Sequence, residues 1–195
     1  MKRATLAALV AASLVAAGTA RAGSLATVLV DGKKILVKDS SDTTKRKVVL
    51  LSKDPDINTV SLDPTVAGAS LFLIAPGLNQ LSSAFLMPAS GWTVKNGKLK
   101  YKDPDLVNGP VKKALVKNGQ IRAILKGSEI DFPVLGVAPL GEVGGQFTVF
   151  GGGIDTRFCF LFPGDQGTVK KDDPDRGIYR ALKAEAPGFC PDQIP

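Results

Sequence analysis

The chain contains no histidine. That absence excludes a Ser-His-Asp triad, a Cys-His nucleophile pair, His-ligated zinc and a proximal-His haem. With two cysteines in 195 residues, a four-cysteine zinc or iron–sulfur centre is excluded as well. Aromatics with a polar edge are scarce, one Trp and two Tyr. The platforms on which bases or sugar rings stack therefore have few residues to use, and no nucleic-acid partner is expected. The motifs S-x-x-K and G-x-S-x-G are both missing, so a serine nucleophile has no recognisable setting. No long apolar run follows residue 22, so no transmembrane segment is expected in the mature chain, which is read as soluble.

What is present begins with an address. Lys2 and Arg3 form a basic start, residues 6–17 a short apolar stretch, and Ala20-Arg21-Ala22 a small-x-small site. That order reads as a secretory signal peptide over residues 1–22, with cleavage expected between Ala22 and Gly23. The apolar stretch is short of the roughly 20 residues a spanning helix needs. Residues 23–195 are then one exported domain, periplasmic or extracellular. Loss of Lys2, Arg3 and Arg21 lowers the formal charge from +7 to +4, a mild basic balance rather than a nucleic-acid footprint. In an oxidising compartment the two cysteines read as one bridge, Cys159 to Cys190, with two buried thiols as the alternative.

Three short motifs predict β-hairpins: Asp31-Gly32, Asn96-Gly97 and Asn118-Gly119, each between apolar runs. A two-residue type I′ turn needs positive φ at both central residues, which Asn, Asp and Gly accept most easily. Around Asn96-Gly97 the register sets Val94 opposite Leu99 and Trp92 opposite Tyr101, leaving Thr93, Lys95, Lys98 and Lys100 on the other face. Around Asn118-Gly119 it sets Val116 opposite Ile121 and Ala114 opposite Ala123. There the other face mixes Leu115 and Ile124 with Lys113 and Arg122, a poorer division. Around Asp31-Gly32 it sets Val28 opposite Ile35 and Ala26 opposite Val37. Further strands are expected at 46–51, 69–74, 84–87, 146–150 and 157–162. In the last, Phe158, Phe160 and Phe162 share one face, and Cys159 and Leu161 share the other, as a central strand requires. Residues 174–185 fit a helix capped by Asp173 or a strand near 179–183.

The candidate chemistry is thin. Asp54, Asp56 and Asn58 open like a calcium loop, yet Thr59 and Thr65 stand where such a loop has Gly and Glu. Asp103-Pro104-Asp105 and Asp173-Pro174-Asp175 repeat the opening without completing it, so turns are the simpler reading. Gly151-Gly152-Gly153 leads into a strand and lacks the Lys-Ser/Thr of a phosphate loop. Lysines, with Arg46, gather at Lys33, Lys34, Lys38, Lys45, Arg46 and Lys47, at Lys95, Lys98, Lys100 and Lys102, and at Lys112, Lys113 and Lys117. They serve solubility and edge protection, or a patch for an anionic surface polymer. No metal, no cofactor and no catalytic residue is expected. The larger pockets are expected to be apolar, with the charged groups dispersed.

Several pieces, in order, carry a resemblance. They are Asp63-Pro64-Thr65-Val66-Ala67-Gly68-Ala69-Ser70-Leu71, Met87-Pro88-Ala89-Ser90-Gly91-Trp92 and Tyr101-Lys102-Asp103-Pro104. Gly109-Pro110-Val111-Lys112, Thr156-Arg157-Phe158-Cys159 and Ala186-Pro187-Gly188-Phe189-Cys190-Pro191 follow. Together they resemble an uncharacterised secreted β domain of envelope and extracellular proteins in Gram-negative bacteria, over most of residues 33–191. The resemblance implies that Cys159 and Cys190 are that domain's paired cysteines and that the tail is a strand. Phe158 departs from the Tyr usual there. The resemblance brings no activity or ligand with it.

The expectation is an all-β, single-domain antiparallel β-sandwich, with a partly closed β-barrel as the alternative. Its function is read as a non-catalytic exported module that binds a partner, an anionic surface polymer or another envelope protein, or serves structurally. The rivals are a barrel carrying a small apolar ligand and a hydrolase built on paired carboxylates or Ser-Lys.

Overall fold

The structure, a computed structural model, describes residues 24–78 and 81–191. The expected signal peptide and the Ala22–Gly23 cleavage site lie outside the described residues. Segments whose side chains alternate between apolar and polar can lay one face on a core and the other on water. Thirteen strands form in this way or as fully covered runs among the described residues. They are β1 (Leu25–Leu29), β2 (Gly32–Lys38), β3 (Lys47–Ser52), β4 (Ala69–Ala75), β5 (Leu81–Met87), β6 (Trp92–Lys95) and β7 (Lys98–Lys102). The rest are β8 (Val111–Lys117), β9 (Gln120–Lys126), β10 (Val143–Val149), β11 (Asp155–Phe162), β12 (Thr168–Asp173) and β13 (Ile178–Ala184).

Five strands form one sheet in the order β1-β11-β10-β4-β5, and eight form the other in the order β12-β13-β2-β3-β9-β8-β7-β6. Neither sheet closes on itself, so the architecture is a β-sandwich rather than a barrel. A single cluster of buried side chains draws on both sheets, with Ile35, Val48, Leu50, Leu125 and Tyr179 from the larger and Leu71, Phe147, Phe158 and Phe162 from the smaller. Phe158, Phe160 and Phe162 all point into this core, and Phe160 meets Phe162 edge-on with ring centroids 6.0 Å apart. On the opposite face of β11, Cys159 is bonded to Cys190, α-carbons 5.2 Å apart, which ties the C-terminal tail across the smaller sheet.

The registers of two of the three expected hairpins stand as read. Trp92 pairs with Tyr101 and Val94 with Leu99. Asn96 and Gly97 have φ of 51° and 67°, as a type I′ turn demands. Val116 pairs with Ile121 and Ala114 with Ala123. Here Gly119 alone takes positive φ (74°), so the turn is not type I′. The Asn118 side chain instead accepts hydrogen bonds from the Thr59 amide (2.9 Å) and hydroxyl (2.8 Å).

The Asp31-Gly32 hairpin does not form. β1 pairs in parallel with β11, the one parallel ladder among the described residues, while β2 pairs with β3 and β13. Asp31-Gly32 is a crossover between sheets. Gly32 is instead extended as the first residue of β2, paired with Ser52, and the Phe162 ring occupies the space where a Cβ would stand. Asp31 is held on three sides: its amide by Asp54 Oδ2 (2.7 Å), its carbonyl by the Ser52 hydroxyl, and its Oδ1 by the Ala186 amide (2.8 Å). Tertiary bonds hold it in place of a local turn.

The tail resolves as strand β13, and Asp173 closes a turn by accepting the Arg176 amide (2.9 Å) instead of capping a helix. Its partner β12 carries Thr-Val-Lys-Lys-Asp-Asp, too polar to stand out as a strand.

Candidate functional site

Carboxylates are the first place to seek chemistry, and their oxygens are mostly engaged in holding loops. A buried backbone N–H needs an acceptor, and an aspartate beside a proline-marked turn supplies one. Asp54 Oδ1 accepts the Asp56 amide (2.8 Å) while Oδ2 holds Asp31, so the sequence resembling a calcium loop is a turn. Asp103 accepts the Val107 (3.1 Å) and Asn108 (2.8 Å) amides, Asp155 that of Gly151 (3.0 Å), and Asp172 those of Leu140 (3.1 Å) and Gly141 (2.7 Å). Burial pushes the Asp103 carboxyl up, but these amide bonds outweigh it and hold the group below its ordinary value. Buried Asp39 meets Arg46 Nε at 2.8 Å and accepts the Val134 and Leu135 amides at 3.1 and 3.0 Å. Among the described residues no three of Asp, Glu and Cys are placed to hold a metal ion.

The glycine run is likewise structural. Gly151, Gly152 and Gly153 all have positive φ, and a Cβ on Gly152 would strike the Ser61 carbonyl. Every described lysine is at least partly exposed, so none stands buried beside a serine.

The outer face of the eight-stranded sheet is different. Strands β2, β3, β6, β7, β8, β9 and β13 contain no Asp or Glu. Every charge on their outward positions is therefore positive. Like charges face each other directly across strands: Lys102 opposite Lys113, Lys95 opposite Lys98, and the row Lys38, Lys47, Lys126. Such pairs lower sheet stability.

Within this face a concavity of about 320 Å³ opens over β7, β8 and β9. Lys100, Lys102, Lys113 and Arg122 surround it, and half-buried Leu115 and Ile124 form its floor. Register explains the grouping. Lys100, Leu115 and Arg122 lie in one cross-strand row, and Lys102, Lys113 and Ile124 in the next. Among the described residues none of the four cations forms an ion pair. Beneath them, inward-facing Tyr101 is buried against Trp92, ring centroids 5.5 Å apart. Burial, and then the nearby Asp103 charge, pushes the Tyr101 hydroxyl above its usual range.

The expectation of apolar pockets with scattered charges is overturned here, because the hairpin register converges four cations on one hollow. The lysine runs pointed to Lys100, Lys102 and Lys113, whereas Arg122, Leu115 and Ile124 were outside them. Their signal was the mixed outer face of the Asn118-Gly119 hairpin, which broke the alternation expected of a solvated face. Lys45 and Arg46 stand apart from the site, paired with Asp42 (3.0 Å) and Asp39. A second hollow, about 330 Å³, is lined by Thr44, Leu106, Pro110, Lys126 and Glu129, with no second carboxylate to pair with Glu129.

Comparisons with protein-family models, with curated proteins and with solved structures find no match to this chain. Among the described residues no helix is long and apolar enough to cross a membrane.

Proposed function

We propose that the protein is an exported, non-catalytic β module of the envelope type its motifs resemble, and that it holds an anionic partner on the outer face of its larger sheet. Export is supported by the order of residues 1–22 and by a disulfide, which persists in oxidising compartments. A binding role without catalysis is supported by aspartates bonded to loop amides and by described lysines that all reach solvent.

The observation that carries the reading is the direct facing of Lys102 and Lys113 beside Lys100 and Arg122, without a described counter-charge. A solubilising surface intersperses both signs, whereas a single-sign field suits capture of an opposite charge.

Retention of residues 23–195 on immobilised dextran sulfate tests this. The natural chain is expected to bind and to elute with salt. Lys102→Glu/Lys113→Glu should elute at markedly lower salt than Lys170→Glu/Lys183→Glu, which makes the same charge change on β12 and β13. Equal loss in the two variants reduces the effect to net charge and contradicts the proposal.

A further inference from the structure

We propose that the groove over β7, β8 and β9 docks the protein onto an anionic lipid surface, with the four cations on lipid phosphates and the Leu115–Ile124 floor against lipid carbons. This rests on the reading of that face as anion-binding and names its occupant.

Donor chemistry is the first argument. Lysine and arginine only donate hydrogen bonds. The outward ladder positions of β7, β8 and β9 carry Lys98, Lys100, Lys102, Lys113, Lys117 and Arg122, with Gln120 the one side chain there able to accept. A sugar polymer presents hydroxyls that need acceptors as well as donors, and its rings favour aromatic platforms. The phosphodiester of a lipid is an acceptor alone, which this face matches. The Trp92 and Tyr101 rings are turned inward and buried, so the outer face of these strands offers no stacking surface.

The floor is the second argument. Leu115 and Ile124 are half-buried among three lysine ammonium groups and the Arg122 guanidinium, open to the hollow, and the aliphatic surface continues through Val49 and Leu51 of β3. Interfacial proteins combine these two features, basic groups at headgroup level and aliphatic side chains just beneath. Each basic residue near an anionic bilayer raises partitioning about fivefold, so four converging cations suffice for measurable attachment. A concavity of about 320 Å³ gives room for a headgroup between them.

The test is cosedimentation of the mature chain with vesicles of phosphatidylglycerol and phosphatidylcholine, against vesicles of phosphatidylcholine alone. Dextran sulfate retention runs in parallel, and circular dichroism checks folding of each variant. Binding to the anionic vesicles alone is expected, with at least a tenfold loss in Lys100→Glu/Lys113→Glu. The floor variant Leu115→Thr/Ile124→Thr should lose vesicle binding severalfold while keeping its dextran sulfate retention. Retention on dextran sulfate without vesicle binding overturns the lipid proposal and leaves the anion-binding reading standing. A folded floor variant with undiminished vesicle binding also overturns it. Failure to bind either probe overturns both.

Discussion

The Phe162 ring stands where a side chain on Gly32 would be, so the last residue of β11 is pressed against the first residue of β2 across the two sheets. Phe162 is fully buried, and its ring cannot swing away without opening the core. Gly32→Ala is therefore expected to destabilise the fold by about 1–3 kcal/mol, the range for an overpacked core. Urea unfolding checks it. An unchanged midpoint would show that the contact is looser than described.

The two tyrosines predict opposite responses to the same change. The Tyr179 hydroxyl donates to the Phe162 carbonyl at 2.9 Å and lies 3.2 Å from that of Gly141. Desolvation, and then the charges of Asp172 and Glu142, push its ionisation far above the usual range. The Tyr101 hydroxyl is buried without a hydrogen-bond partner among the described residues. Tyr179→Phe should cost about 1–2 kcal/mol, whereas Tyr101→Phe should gain about 1 kcal/mol by deleting an unsatisfied polar group. Thermal melting of the two variants side by side decides it, and a shared sign would contradict the bonding described.

Asp103 links stability to pH. Its carboxyl is held below the ordinary range, because the amide bonds from Asn108 and Val107 outweigh desolvation. A carboxylate with a depressed folded pKa contributes stability above its unfolded value, about pH 3.9, and loses it as pH falls through the folded value. Asp103→Ala should therefore cost about 1.5–3 kcal/mol at pH 7, the range for hydrogen bonds to a charged group. The difference from the natural chain should shrink below about pH 4. A difference independent of pH would mean the carboxylate charge is not what holds the 103–108 turn.

Lys113 faces Lys102 directly and has no described ion-pair partner. Lys113→Glu should raise folding stability by about 0.5 kcal/mol, as removal of a like-charge cross-strand pair does. The same change should weaken anion binding. Stability and binding would then move in opposite directions, as expected of a surface kept for function. A loss of stability in this variant would assign Lys113 a folding role instead.

What was legible in the sequence was local. The Asn96-Gly97 and Asn118-Gly119 registers follow from a turn and the residues on either side of it, and both stand. The Asp31-Gly32 motif looked the same, yet its geometry is set by Phe162, Asp54, Ser52 and Ala186, none of them adjacent in sequence. Strand β1 was visible as an apolar run, but its parallel partner β11 lies far along the chain, beyond the reach of turn chemistry. The candidate site was half legible. Lysines at 98, 100 and 102 were plain, whereas convergence with Lys113 and Arg122 needed the β7–β8 register, which the turn at 96–97 does not specify. The apolar residues Leu115 and Ile124, awkward on an outward face, were the sign in the sequence that this face departs from a plain solvated one.

The most direct measurement is amide-resolved NMR of the isotope-labelled mature chain during titration with tripolyphosphate, a small soluble polyanion. The account predicts saturable shifts concentrated on β7, β8 and β9 around Lys100, Lys102, Lys113 and Arg122, and their loss in Lys100→Glu/Lys113→Glu. Shifts centred instead on the 151–153 glycine turn or the 103–110 loop, or spread evenly over every exposed lysine, would contradict it.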